Sequence, residues 1–165
     1  MAPGLDVLFV GINPGLESAR RGHHFARAGN RFWRALHGAG FTPRLLTPDE
    51  DRDLPRYGLG LTNIVDRASA GADELTPDEL RAGAARLAAL AEEVQPRVVA
   101  IVGIGAYRTG FDRPKAAVGL QDETIGGRPA WVLPNPSGRT AHYQLPDLIR
   151  LFSELREWVR DHRGR

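Results

Sequence analysis

The sequence predicts an α/β fold, a mainly parallel sheet of about four strands covered by helices on both faces. Three observations predict it. Short apolar runs at residues 5–10 (LDVLFV), 97–102 (RVVAIV) and 129–133 (PAWVL) alternate with stretches in which apolar residues recur at helical spacing. The run at 97–102 is apolar after its first residue and rich in valine, the pattern of a strand buried on both faces. The first run also leads straight into a glycine-bearing loop, GINPG, and in such folds ligands bind at the carboxyl ends of strands.

The elements follow in order. Residues 5–10 form the first strand. Residues 30–39 read as a helix: Asn30 can cap it, Phe32, Trp33 and Leu36 form its apolar side, and Gly38 and Gly40 end it. Residues 42–56 are polar and contain proline, the composition of a surface excursion. Residues 57–65 (YGLGLTNIV) form a weaker strand running into a loop. Thr76-Pro77-Asp78-Glu79 is a strong helix start, with a capping threonine, proline at the first helical position and glutamate three residues after the cap. Leu80, Ala84, Leu87, Ala91 and Val94 then repeat at helical spacing until Pro96. The third strand covers 97–102, and a helix follows near 106–110. The fourth strand is 129–133. Residues 145–159 close the chain as an amphipathic helix with Leu148, Leu151, Phe152, Leu155, Trp158 and Val159 inward. No internal repeat and no low-complexity linker interrupts the series.

The 165 residues suit one domain, 1–165, with 42% apolar and 25% charged residues. No apolar run approaches the ~20 residues of a membrane span. The first residues lack a basic region and a small-residue cleavage site, so no signal peptide and a cytoplasmic location are expected. The absence of cysteine excludes disulfides, a thiol nucleophile and thiolate zinc sites. Net charge is +2, yet the isoelectric point is about 9.5 because the basic residues are almost all arginine. Lys115 is the only lysine, which disfavours Schiff-base chemistry. Arginine suits phosphate recognition through its planar fork, and it is also the residue that GC-rich coding favours.

The loops at the strand ends carry the chemistry. They are GINPG, TNIVDR, GIG and NPSG, and topology brings the two Asn-Pro loops to one rim. GIG lacks the third glycine and the acidic partner of a dinucleotide fingerprint, so no nucleotide cofactor is expected. His23 and His24 are adjacent and splay apart, and no carboxylate cluster at ligand spacing accompanies them, so no metal is expected. No serine elbow is present. Asn13, at the tip of the first loop, has two readings. One is turn chemistry, since asparagine before proline is common in loops. The other is that its carbonyl aims a water molecule. An amide is too weak a base to deprotonate water, so the leaving group would have to depart largely unaided, as in glycosidic cleavage through a cation-like transition state.

Taken together, GINPGL, GHHF, NRFW, GLTNIVDR and LPNPSG resemble the mismatch-specific uracil-DNA glycosylases, the bacterial Mug and vertebrate thymine-DNA glycosylase family. The resemblance runs from Leu5 to Val159 in the family's order and spacing. It implies a three-layer α/β/α sandwich that binds double-stranded DNA as a monomer, flips a mismatched or damaged pyrimidine out of the stack and cuts its N-glycosidic bond without a cofactor. Carried over residue by residue, it gives Asn13 the water-positioning role, with the backbone of Ile12 and Gly15 beside the base. Phe25 becomes the stacking aromatic, with His24 before it, as in the vertebrate branch. Ser18 falls near the C5 substituent of the pyrimidine. Asn63 stands where the best-known bacterial member has lysine and the vertebrate branch has asparagine, facing the edge of the base. Asn135, Ser137 and Gly138 match the loop that enters the minor groove. The wedge position is Arg139, in place of the bacterial leucine, followed by Thr140. A second family position, often arginine, is Ala141.

Asp66 adds an open question. A carboxylate three residues after Asn63 could activate water or stabilise the sugar cation, or it could pair with Arg67 or cap the next segment. Arg20, Arg21, Arg27, Arg31 and Arg139 lie in or beside the rim loops and read either as phosphate contacts or as ordinary exposed arginines. The competing functions are a nucleic-acid-binding module without chemistry and a small-molecule nucleosidase. The first has no need of Asn13 and Phe25 together, and the second has no need of an arginine-rich rim.

Overall fold

The protein is described here from a computed structural model, over residues 3–27, 29–138 and 142–163. A five-stranded sheet in the order β2-β1-β3-β5-β4 forms the middle layer, built from β1 (Val7–Gly11), β2 (Leu59–Asn63), β3 (Val98–Val102), β4 (Gly119–Leu120) and β5 (Ala130–Leu133). The pairs β1·β2, β1·β3 and β3·β5 are parallel, and β4 runs antiparallel at the edge. The fold is therefore the expected α/β sandwich, with one more strand than the sequence suggested. β4 escapes notice because it has two residues, one a glycine and the other an exposed leucine.

Strand alternation sorts the core into two layers. Val7, Phe9, Val98, Ala100, Val102, Trp131 and Leu133 face α2 (Phe32–Gly38) and α5 (Leu145–His162). Leu8, Val10, Val99, Ile101, Ala130 and Val132 face α3 (Pro77–Val94) and α4 (Ile104–Gly110). Every residue of β3 is buried, as its apolar run requires. α3 starts at the expected cap: the Thr76 hydroxyl accepts from the Glu79 N–H at 3.1 Å, and the Glu79 carboxylate accepts from the Thr76 N–H at 3.1 Å. It ends at Gln95, in the left-handed conformation, one residue before Pro96.

Two elements depart from the sequence reading. Residues 16–21 form a short helix, α1 (Leu16–Arg21), closed by Gly22 at φ 72°. The polar excursion contains an ordered 3-10 segment, Pro48–Tyr57, introduced by Thr47. Asn30 lies one position further from its helix than expected: its Oδ1 accepts from the Phe32 N–H at 2.9 Å, and α2 starts at Phe32. No helix among the described residues is long and apolar enough to cross a membrane.

One contact ties α3 to the sheet edge. A Cβ on Gly83 would lie 2.3 Å from the Ile64 carbonyl oxygen, so this helix turn rests directly on the backbone that follows Asn63. Gly83→Ala forces α3 away from that backbone, and a strained core contact of this kind costs roughly 1–3 kcal/mol. Thermal denaturation should show Tm lowered by about 2–12 °C, given ~2–4 °C per kcal/mol for a chain of this size.

Candidate active site

The loops after β1, β2 and β5 and the last residue of β3 enclose a cavity of about 470 Å³, within the ~300–1,000 Å³ of ordinary small-molecule sites. It lies at the carboxyl ends of the parallel strands. From the first loop and α1 it takes Ile12, Asn13, Gly15 and Ser18, and from the GHHF turn it takes His24 and Phe25. Asn63 comes from the end of β2, and Asn135 and Ser137 come from the loop after β5. Residues far apart in the sequence thus share one wall, as the topology implied.

Asn13 is held by its amide nitrogen. Nδ2 donates to the Arg67 carbonyl at 2.8 Å and to the Ser69 hydroxyl at 2.8 Å. That hydroxyl in turn donates to the Gly71 carbonyl at 2.8 Å, so it meets Asn13 with a lone pair. The reversed amide would press its oxygen against the Arg67 carbonyl, acceptor against acceptor, with no proton between them. The orientation is therefore fixed by the partners, and both donors are occupied. The carbonyl oxygen, which accepts from no described residue, is left for a ligand. The loop that supplies these partners is tied to the first: the Ser69 N–H donates to the Pro14 carbonyl at 3.2 Å. Farther out, Arg67 forms a fork on Glu79 at 2.9 and 3.0 Å. That guanidinium, with the Thr76 N–H, holds the Glu79 carboxyl down at about 2.

Ser69 is the residue that the sequence reading missed. It is buried, at 4% exposure. Its only local signal is a small hydroxyl residue in an otherwise featureless ASAG stretch. Asp66, by contrast, is exposed and contributes nothing to the cavity wall. Among the described residues its carboxylate has no partner. The suggested pairing with Arg67 does not form, because Glu79 takes that guanidinium.

Phe25 forms a flat wall. Its ring stacks on Phe32 with centroids 4.3 Å apart and an interplanar angle of 21°. Phe32 packs edge-on against Phe9 of the core, with centroids 5.4 Å apart. Asn63 stands close by. A Cβ on Gly11 would lie 2.7 Å from Asn63 Oδ1 and 3.2 Å from Phe25 Cζ, so the glycine makes room for both. The Asn63 side chain has no hydrogen-bond partner among the described residues, which leaves donors and an acceptor for the edge of a planar heterocycle. The Ser18 hydroxyl accepts from the Ala26 N–H at 3.0 Å, so it braces the turn while also lining the cavity.

Residues 134–138, which follow β5, form a lip held by hydrogen bonds. Asn135 Oδ1 accepts from the Ser137 N–H at 3.0 Å, and Gly138 packs on the Gly29 carbonyl so closely that a Cβ would come within 2.8 Å of it. Arg31 donates to the carbonyls of Pro136, Ser137 and Tyr143. This arginine clamps the lip from inside the protein and does not stand open for a phosphate. Arg20 pairs with Glu17 and Arg21 with Asp49. Arg27 lines the cavity, and its guanidinium has no partner among the described residues. Arg139, Thr140 and Ala141 lie outside the described residues. Among the described residues no cluster of three His, Asp or Glu side chains could hold a metal ion.

His24 is half-buried, and burial pushes its imidazole below the ordinary pKa, outweighing the pull of Asp51. It therefore faces the cavity as a neutral ring at pH 7. A group whose charged form is disfavoured on folding binds fewer protons folded than unfolded, so its contribution to stability falls as pH drops through 6.5 and below. His24→Gln removes that dependence. The wild type should lose more Tm than the variant between pH 7.5 and pH 5.5.

The arrangement can place a water against an amide oxygen, stack a flat ring and bond its edge. The family comparison agrees with that chemistry: a model of the uracil DNA glycosylase superfamily matches residues 1–160. The match covers all five strands and nearly all of α5. The chain belongs to the uracil DNA glycosylase superfamily, enzymes that hydrolyse the bond between uracil and the sugar of DNA.

Proposed function

We infer that the protein is a monofunctional, mismatch-directed DNA glycosylase of the Mug and thymine-DNA glycosylase kind. It acts on uracil, and on thymine or related damaged pyrimidines, opposite guanine in duplex DNA. The observation that carries this reading is the meeting of an oriented Asn13 carbonyl and the Phe25 ring on one cavity of about 470 Å³.

In this reading the target base leaves the stack, which costs a few kcal/mol and least for a mispaired base. It lies on Phe25, whose other face rests on Phe32, a contact worth ~1–3 kcal/mol. Asn63 bonds the edge of the base, and Ser18 stands near its C5 substituent. Asn13 holds water beneath the sugar with its unpaired carbonyl. The N-glycosidic bond breaks first: its electron pair leaves with the pyrimidine, and the sugar becomes cation-like. The positioned water then adds at C1′ and loses its proton to solvent. Backbone amides of the 12–15 loop stabilise the departing pyrimidine anion, an effect worth up to ~3–4 kcal/mol per donor. Neutral His24 adds no cation to this wall. The lip formed by Asn135, Ser137 and Gly138 enters the minor groove, and Arg139 and Thr140 follow it as the wedge. Asp66, exposed and away from the wall, has no step in this scheme.

Alkali treatment of duplexes carrying G:U, G:T and A:U pairs, and of single-stranded uracil, reads out abasic sites. Strand breaks with G:U exceeding A:U are expected, and a gel shift without breaks would indicate a binding module instead. Asn13→Ala should lower the single-turnover rate by about 10²-fold or more, the scale on which misplacing a reacting group slows an enzyme, with duplex affinity preserved. Asp66→Asn should keep the wild-type rate, and a large loss would restore Asp66 to the chemistry.

A further inference from the structure

Phe25 occupies an expensive backbone conformation. Its φ is +52°, in the left-handed region that aromatic residues rarely adopt. Such strain persists only where the surroundings over-determine it, and here four hydrogen bonds bracket the residue. Before it, the His24 N–H donates to Asp51 Oδ2 at 3.0 Å, and the His24 carbonyl accepts from the Trp33 indole at 3.3 Å. After it, the Ala26 N–H donates to the Ser18 hydroxyl at 3.0 Å, and the Ala26 carbonyl accepts from Arg21 at 3.3 Å.

Asp51 differs from the other three anchors. Its side chain is only 8% exposed. Its second oxygen, Oδ1, lies 3.2 Å from His23 Nδ1, so the carboxylate grips both histidines of the GHHF turn. It stands on the 3-10 segment Pro48–Tyr57, which contributes nothing to the cavity wall. Neighbouring Asp49 holds Arg21 at 2.9 Å, so the same segment secures both sides of the Phe25 turn.

We propose that Asp51 is a positioning residue for base capture: by gripping His23 and the His24 backbone it sets the left-handed turn that presents the Phe25 ring to the flipped base. This rests on the stacking role given to Phe25 above. Removal of the carboxylate leaves a half-buried N–H unpaired and releases the turn toward ordinary backbone angles, which carry the ring away from the cavity. Asp51 touches no substrate atom and acts only through Phe25.

The test is a double-variant cycle in single-turnover cleavage of a G:U duplex, with enzyme in excess. Asp51→Ala should lower the rate about tenfold, the scale of one lost base–aromatic stack. Affinity for a duplex with an abasic analogue should stay within about twofold, because no base is then present to stack. Phe25→Ala should lower the rate to a similar degree, and adding Asp51→Ala to it should cause no further loss, since the two act as one unit. Asp51→Asn, which keeps an acceptor for the His24 N–H, should recover most of the rate. If the alanine variant does not fold, the asparagine variant takes its place in the cycle, with a smaller loss that again vanishes in the Phe25→Ala background. A multiplicative loss in the double variant, or a wild-type rate in the folded single variant, overturns the role of Asp51 while leaving the glycosylase reading intact. A wild-type rate for Phe25→Ala overturns the stacking platform and the Asp51 proposal together. Absence of cleavage by the wild-type protein on every duplex overturns the glycosylase reading itself.

Discussion

Parallel pairing sets Gly11 beside Asn63 at the ends of β1 and β2, where a Cβ on the glycine would come within 2.7 Å of Asn63 Oδ1 and 3.2 Å of Phe25 Cζ. The rest of the site depends on that close approach. It brings an amide and an aromatic ring together over bare backbone, immediately before the turn that carries Asn13. A methyl group there would displace the Asn63 amide and crowd the Phe25 ring. The apolar strands, the two core layers and the parallel register are what deliver these loop residues to the same place. The sheet is the frame, and the missing Cβ is the aperture.

Around this aperture the protein over-determines its polar groups. Asn13 has both donors occupied, the Ser69 hydroxyl donates to the Gly71 carbonyl, and the Phe25 turn is held at four points. Groups fixed in this way need little reorganisation when charge develops during a reaction, which is the physical content of preorganisation. The same logic explains why Asn63 differs from Asn13. The Asn63 side chain has no hydrogen-bond partner among the described residues, so its donors and acceptor stay open to a ligand.

Much of the fold was legible in the sequence because its signals are local. The Thr76–Glu79 cap, the apolar run of β3 and the stripe of α5 each announce themselves within a few residues. The tetrapeptide TPDE shows where that legibility stops. It occurs at residues 47–50 and again at 76–79. The second copy opens an eighteen-residue helix because LRAGAARLAAL follows. The first opens only a 3-10 segment, because the residues after it are mostly polar and include Pro55. Identical caps give different elements when the packing face differs. The lining of the cavity was legible where a motif carried it, as for Asn13, Phe25 and Asn63. Ser69 and Asp51 were invisible because their roles arise from contacts 56 and 27 residues away in sequence.

Arg31 has a consequence for how the protein meets its substrate. Composition suggests an arginine-rich surface, yet Arg31 is engaged with three carbonyls of the lip, Arg21 with Asp49, and Arg20 with Glu17. These cations stiffen the protein's own loops. On a duplex these three would displace few condensed counterions, and the salt dependence of binding would rest on cations left open, such as Arg27. Discrimination would come from the lip's shape and from what the cavity accepts, more than from bulk attraction to the phosphate backbone.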